Sequence, residues 1–322
     1  MKQDKIRIME NAISSDYNNM VGMVVMKDGA VAYENYFKGC TAESRIHVFS
    51  VTKSIVSILF GIALDKGLLE SIDKKVLDFF PDYTVKRGEK TIQNIRIKDM
   101  LTMTVPYKYK FNPYTKYFTS TDWVKFSLDK LGGKGTIGEF RYAPIIGPDI
   151  LSGILAKVTG QSVLEFAREN LFEPLGINVE KNITFDSKEE QMDFYKSTSM
   201  NGWVADPAGT NTAGWGLTIS PVDMAKIGQM YLNKGVWNGQ RIVSEKWVTE
   251  STTEKTRWKK LNLPYGYLWW IGEKDGFAAM GDGGNIIFVS PEKNMVVAIT
   301  SLFYPRAKDR IEFIEKYVYP IF

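Results

Sequence analysis

Ser50-Val-Thr-Lys53 sets a hydroxyl and an amine three residues apart, a spacing that brings both to one face of a helix. A serine becomes a nucleophile when a base takes its proton, and a lysine serves as that base near neutral pH once burial lowers its pKa. The residues that follow supply the burial: Val51, Ile55, Ile58, Leu59 and Ile62 make the helix apolar. At its first turn Ser50 also meets the positive end of the helix dipole, which favours a developing oxyanion. Ser-x-x-Lys occurs four times, at Ser50, Ser71, Ser127 and Ser290. Ser71 reads as a cap, Ser127 falls in a polar-faced helix, and Ser290 precedes Pro291 at a strand end. The Ser50 copy alone joins a strand-like stretch to an apolar helix.

Other chemistry is scarce. Cys40 is the single cysteine and His47 the single histidine, so an intrachain disulfide and Cys- or His-rich metal sites are excluded. A Ser-His-acid triad would have to use His47, three residues before Ser50; a packed or hydrogen-bonded imidazole is the expectation. Trp215, within Ala213-Gly-Trp-Gly216, is open either to line a pocket or to pack in the core, whereas Trp269 and Trp270 read as core. Gly281–Gly284 is not a phosphate loop, since it lacks a following Lys-Ser/Thr and precedes a strand.

The elements that must hold these residues can be read from the chain. Its 322 residues suit two lobes, or one domain with a large insertion, and 44% hydrophobic with 24% charged residues is an ordinary globular composition. A net charge of +4, evenly spread, argues for neither nucleic acid nor an anionic membrane as partner. Val21–Met26 and Val31–Phe37 flank Lys27-Asp28-Gly29, a strong hairpin signal. Strand-like runs return at Tyr267–Ile271, Asn285–Val289 and Met295–Thr300, followed by a helical tail from about Lys308 to Tyr319. Between them the periodicity predicts helices at Ile55–Leu64, Lys98–Met103, Thr121–Leu131, Asp149–Val158, Ser162–Leu171 and Pro221–Leu232. The polar first residues show no apolar h-region, and no run of 18 or more apolar residues occurs, so neither a signal peptide nor a membrane span is expected. With a single cysteine this points to the cytoplasm, although an exported form trimmed of its signal would read the same.

His47-Val-Phe-Ser-Val-Thr-Lys-Ser54 resembles the nucleophile segment of the serine β-lactamase and penicillin-binding-protein superfamily. It is most similar to the class C-like branch of esterases, D-aminopeptidases and 6-aminohexanoate-dimer hydrolases. The likeness continues in order through Ile95–Thr104, Phe140-Arg-Tyr142, Leu171-Phe-Glu-Pro-Leu-Gly176, Gly214–Met224, Tyr265–Trp270 and Met280–Ile287, covering about residues 20–300. The resemblance implies an α+β, β-lactamase/transpeptidase-like fold: an antiparallel sheet lobe from 1–60 and 210–322 with terminal helices, a mostly helical lobe from 61–209, and an active site in the cleft between them. It implies Ser50 as the acylated nucleophile, Lys53 and Tyr142 as its base, the backbone N–H groups of Ser50 and Asn285 as the oxyanion hole, and no metal or organic cofactor. Tyr107 and Tyr109 are rivals to Tyr142, which the Phe-Arg-Tyr setting favours.

Two departures from the family pattern matter. In an ungapped reading Pro144 stands where the family carries the Asn of Tyr-x-Asn, which hydrogen-bonds the lysine and the substrate, although the spacing from Tyr142 to Leu151-Ser-Gly153 is about two residues longer than the usual pattern; a proline is expected to do neither. Asp282, ahead of Gly283 and Gly284, occupies the place of the Lys or His that meets a substrate carboxylate, so Asp282, Gly283, Gly284 and Trp215 are the substrate-binding candidates. A carboxylate there repels a penicillin anion by on the order of 1 kcal/mol or more. The expectation is therefore a serine hydrolase acting on a small neutral or amine-bearing ester, amide or peptide-like molecule. A D-amino acid peptidase or penicillin-recognising enzyme, and a non-catalytic binding protein that kept the fold, stay open as alternatives; oligomeric state is left unassigned.

Overall fold

The computed structural model describes residues 2–272 and 275–322. An eight-stranded antiparallel sheet is assembled from the two ends of the chain. Its strands are β1 (Met20–Lys27), β2 (Ala30–Tyr36), β3 (Thr256–Trp258), β4 (Leu263–Tyr265), β5 (Trp270–Ile271), β6 (Phe277–Gly281), β7 (Asn285–Ser290) and β8 (Met295–Ser301). They lie in the order β2-β1-β8-β7-β6-β5-β4-β3, so the N-terminal hairpin pairs with the last strand, Met23 opposite Ile299 and Val25 opposite Val297. Asp28 and Gly29 both take positive φ, 52° and 80°, the geometry that the Asp-Gly turn predicts.

The central strands are apolar on both faces because both faces are covered. Met23 and Val25 of β1, with Val297 and Ile299 of β8, pack against helix α1 (Lys2–Ser15) and the C-terminal helical turn Arg310–Val318. Val24 and Met26, with Val296 and Ala298, face the main core. There helix α2 (Val51–Asp65) and a further helix, Pro221–Leu232, lie on the sheet. The second begins with a capping box in which the Ser220 hydroxyl accepts from the Asp223 N–H at 3.1 Å. Gly228 lets it sit close, since a Cβ there would lie 2.5 Å from Val296 Cγ1.

Between α2 and the helix at Pro221 the chain builds mainly short helices, including Ile97–Leu101, Trp123–Lys130 and Asp149–Thr159. Tyr267–Ile271 reads as one strand in the sequence, but only Trp270–Ile271 pairs. Leu268 turns away at φ 61°, its N–H donating to Leu101 O at 2.9 Å and its carbonyl accepting from Ser54 Oγ at 2.7 Å. Bonds to α2 and to the helical region thus replace the strand ladder. Helices Lys188–Lys196 and Glu245–Ser251, each opened by a serine N-cap, are too short or too polar for periodicity to reveal.

Candidate active site

Ser50 stands at the N-terminus of α2, where a two-residue strand, Ile46–His47, pairs with Thr218–Ile219 and Val48 N–H donates to Leu217 O at 3.0 Å. Phe49 is held at φ 49°, a conformation that a bulky residue adopts under constraint. The Ser50 hydroxyl makes no capping bond to its own helix and is left for other partners.

Those partners include Lys53. Its side chain, 1% exposed, ends with Nζ 2.8 Å from Ser50 Oγ, 2.7 Å from Pro144 O and 2.7 Å from Gly214 O. A neutral amine has two N–H donors and one lone pair. Two carbonyls take the donors, which leaves the lone pair for the serine hydroxyl. Burial drives the Lys53 pKa down to about 7, against the opposing pull of the Asp282 and Asp149 carboxylates. Pro144 therefore does meet the lysine, contrary to the expectation from its side chain, because its backbone carbonyl provides what an Asn amide oxygen would. It still offers no donor to a substrate.

Tyr142 faces the same hydroxyl. Its ring centroid is 5.1 Å from Lys53 Nζ, and a hydrogen-bonding interaction with Ser50 partly offsets the burial that raises its phenol well above the usual range. The ring leans on Trp270 at 5.6 Å, and the preceding Arg141 is anchored by donating to Tyr107 O and Tyr109 O. The rivals Tyr107 and Tyr109 stack on each other at 5.3 Å, and the Tyr109 hydroxyl donates to Ile146 O at 3.0 Å.

Behind this group lies Asp149, which the sequence suggests only as the first residue of a helix. It is buried, accepts from Tyr117 Oη at 2.5 Å and from Ala213 N–H at 3.0 Å, and burial lifts its pKa to about 7. Ala213 adjoins Gly214, so Asp149 fixes the segment whose carbonyl holds Lys53.

Asn285, expected to lend its backbone N–H to the oxyanion hole, holds its side chain in bonds to its own turn and to β8. The Asn285 amide donates to Asp282 O at 2.8 Å and to Ser301 O at 3.1 Å, and its Oδ1 accepts from Ser301 N–H at 2.9 Å. Gly281 is the residue that presses on the nucleophile turn, where a Cβ would lie 2.2 Å from Val48 O and 3.1 Å from Ser50 N. Asp282 follows it directly and reaches the same cavity with its side chain exposed. Gly283 and Gly284 turn the other way: Gly283 O accepts from Asn19 Nδ2 at 2.6 Å and from Arg310 at 3.2 Å, and Gly284 leaves room for the Arg310 guanidinium. The two glycines shape the turn and do not line the Ser50 cavity.

That cavity encloses about 200 Å³ and is walled largely by aromatic rings, Trp215 among them. His47 also borders it, but its Nε2 accepts from Gly216 N–H at 2.9 Å and its ring packs between Phe194 and Phe49. Burial takes the His47 pKa down to about 3, so the imidazole is neutral and committed to the fold. Among the described residues no group of three or more His, Cys, Asp or Glu side chains is placed to hold a metal ion, and no helix is long and apolar enough to cross a membrane.

The family described as beta-lactamase matches residues 12–317. The chain belongs to that family. Within it, the 6-aminohexanoate-dimer hydrolase of Paenarthrobacter ureafaciens is 23% identical over 298 residues, spanning 85% of this chain and 70% of the relative. Among solved structures, a penicillin-binding protein homologue from Caulobacter crescentus superposes with a TM-score of 0.74 at 15% identity, covering 100% of this chain and 98% of the other. A family VIII carboxylesterase gives 0.72 at 15% identity, with 100% and 98% covered. The family, the 6-aminohexanoate-dimer hydrolase and the carboxylesterase are hydrolases of the β-lactamase fold, and the α+β architecture expected from the sequence is the one observed.

Proposed function

We propose that the protein is a serine hydrolase that forms an acyl-enzyme through Ser50 on a small ester or amide. The observation that carries this reading is Lys53 Nζ at 2.8 Å from Ser50 Oγ, held by two carbonyls with its pKa at about 7. In the reaction the Ser50 proton passes to the Lys53 lone pair as Oγ bonds to the substrate carbonyl carbon, and the C=O electron pair moves to oxygen. The oxyanion is received by the N–H groups of Ser50 and of Asp282, in place of the Asn285 N–H that the resemblance implies. As the tetrahedral intermediate collapses, Tyr142 gives its phenol proton to the leaving oxygen or nitrogen and is replenished from Lys53. Water then attacks the ester and frees the acid. Because burial keeps the phenol protonated and leaves about half of the amine neutral near pH 7, the reactive pair is amine and phenol in place of ammonium and tyrosinate.

The exposed Asp282 carboxylate disfavours anionic substrates, so a neutral or amine-bearing small molecule fits better than a penicillin. The relatives named as a 6-aminohexanoate-dimer hydrolase and a carboxylesterase support amide or ester bonds as the target. Ser50 would work in the cleft between a sheet lobe (1–60 and 210–322) and a helical lobe (61–209). Intact-protein mass spectrometry after exposure to a fluorophosphonate, p-nitrophenyl butyrate or a penicillin tests this. The expected result is a covalent adduct with the first two reagents that vanishes in Ser50→Ala; no adduct with any reagent would overturn the reading.

A further inference from the structure

The walls of the Ser50 cavity say more about the substrate than the catalytic group does. Phe303, Phe49, Tyr195 and Trp215 form a continuous chain of rings, with centroids 5.5 Å apart for Phe49–Phe303, 5.9 Å for Phe49–Tyr195 and 5.9 Å for Tyr195–Trp215. Tyr114 lines the cavity too, and burial, with the nearby Asp282 carboxylate adding to it, raises its phenol pKa. Among the described residues that line this wall Asp282 is the one charged side chain, since the His47 ring is neutral, with its Nε2 accepting from Gly216 N–H. The space is small, about 200 Å³, so a group bound there lies close to the Ser50 hydroxyl.

Aromatic faces attract a cation through the ring quadrupole, most strongly where water is excluded, and a single carboxylate at the rim adds long-range attraction. A primary ammonium needs several hydrogen-bond acceptors, whereas an alkylated ammonium needs none. The Tyr195 hydroxyl is itself already bonded to Gln191 at 2.8 Å. Resting on the serine-hydrolase reading above, we infer that the cavity formed by Phe49, Tyr114, Tyr195, Trp215 and Phe303 with Asp282 is a cage for an organic ammonium group, so that the substrate is a small ester or amide with an alkylated ammonium close to the scissile carbonyl.

The experiment measures the rate of fluorophosphonate labelling of the full chain in the presence of tetramethylammonium or its neutral near-isostere tert-butanol. In parallel, calorimetric titration of tetramethylammonium into unlabelled protein is compared with the same titration into Asp282→Asn and Phe303→Leu. Tetramethylammonium should slow labelling at a concentration at least tenfold below that of tert-butanol, and either substitution should weaken its binding by at least threefold. Equal protection by the two compounds, or titrations that show no binding to the wild type, would overturn the cage. Failure of labelling with intact tetramethylammonium binding would instead sink the serine-hydrolase reading and leave the cage standing. Hydrolysis of butyrylcholine against 3,3-dimethylbutyl butyrate extends the comparison to turnover, with the cationic ester expected to be at least tenfold better in kcat/KM.

Discussion

Lys53 Nζ lies 2.7 Å from the carbonyl oxygen of Pro144, the residue that stands where related sequences carry an asparagine side chain. With Gly214 O at the same distance, the backbone satisfies both N–H donors of a neutral amine. A lysine fixed in this way does not depend on a side-chain amide, which is how the family's asparagine can be absent while the serine–lysine pair persists.

The base should be visible in the pH profile. With the Lys53 pKa at about 7, kcat/KM for a neutral ester is expected to rise through an acid limb near pH 7, because the lone pair exists only above it. Lys53→Ala should lower kcat/KM by about 10²–10⁴-fold and abolish that limb. A Lys53→Ala profile superimposable on that of the wild type would exclude the lysine as base.

Removing the nearest exposed carboxylate should move the limb in a definite direction. The Asp282 charge favours the ammonium form and raises the Lys53 pKa, so Asp282→Asn should shift the acid limb to lower pH. Activity below pH 7 then rises relative to the plateau. A shift to higher pH, measured with the same neutral ester, would contradict the electrostatic account.

Tyr142 is assigned as the donor to the leaving group, and this sets a substrate-dependent signature. A p-nitrophenolate leaves without help, whereas an alkoxide or amine needs a proton. Tyr142→Phe should therefore cost little with p-nitrophenyl butyrate and about 10²-fold or more with an alkyl ester or amide. Equal losses on both leaving groups would instead assign the phenol to proton removal from Ser50.

Much of this arrangement is legible in the sequence, and what is not has physical causes. The Ser50–Lys53 pair is local, set by helix spacing, and the hairpin at Asp28-Gly29 by turn chemistry. Tyr142 becomes legible through family resemblance, since its approach to Ser50 depends on chain remote in sequence. The resemblance points to Asn285 for the oxyanion hole, whereas the close contact with the nucleophile turn is made by Gly281, and the Asn285 side chain is bonded to Ser301. Asp149 left no signal beyond a carboxylate at a helix start, and only tertiary packing shows that it faces Ala213 and Tyr117.

Gly281 gives a steric prediction. Its missing Cβ faces the Val48 carbonyl at 2.2 Å, and backbone on both sides leaves nothing flexible to move. Gly281→Ala should keep the fold, as read by circular dichroism, but push β6 off the nucleophile turn and reduce the rate of fluorophosphonate labelling by at least 10²-fold, the scale seen when one oxyanion donor is lost. Labelling at the wild-type rate would show that this contact does not set the site.

His47 should show itself in stability more than in catalysis. Its folded pKa, about 3, lies below the ordinary value of 6.5, so the unfolded chain binds the extra proton throughout that interval. Stability from this residue is complete above about pH 6.5 and is lost as pH falls toward 3, amounting to about 5 kcal/mol over the interval. In urea unfolding at a series of pH values, His47→Leu should be less stable than the wild type at pH 7, because Gly216 N–H loses its acceptor. The variant should also lose close to one proton's worth of slope between pH 6 and pH 4. If the wild type and variant keep parallel stability curves across that range, the imidazole is not buried in the neutral form, and its packing against Phe49 beside the nucleophile would have to be reconsidered.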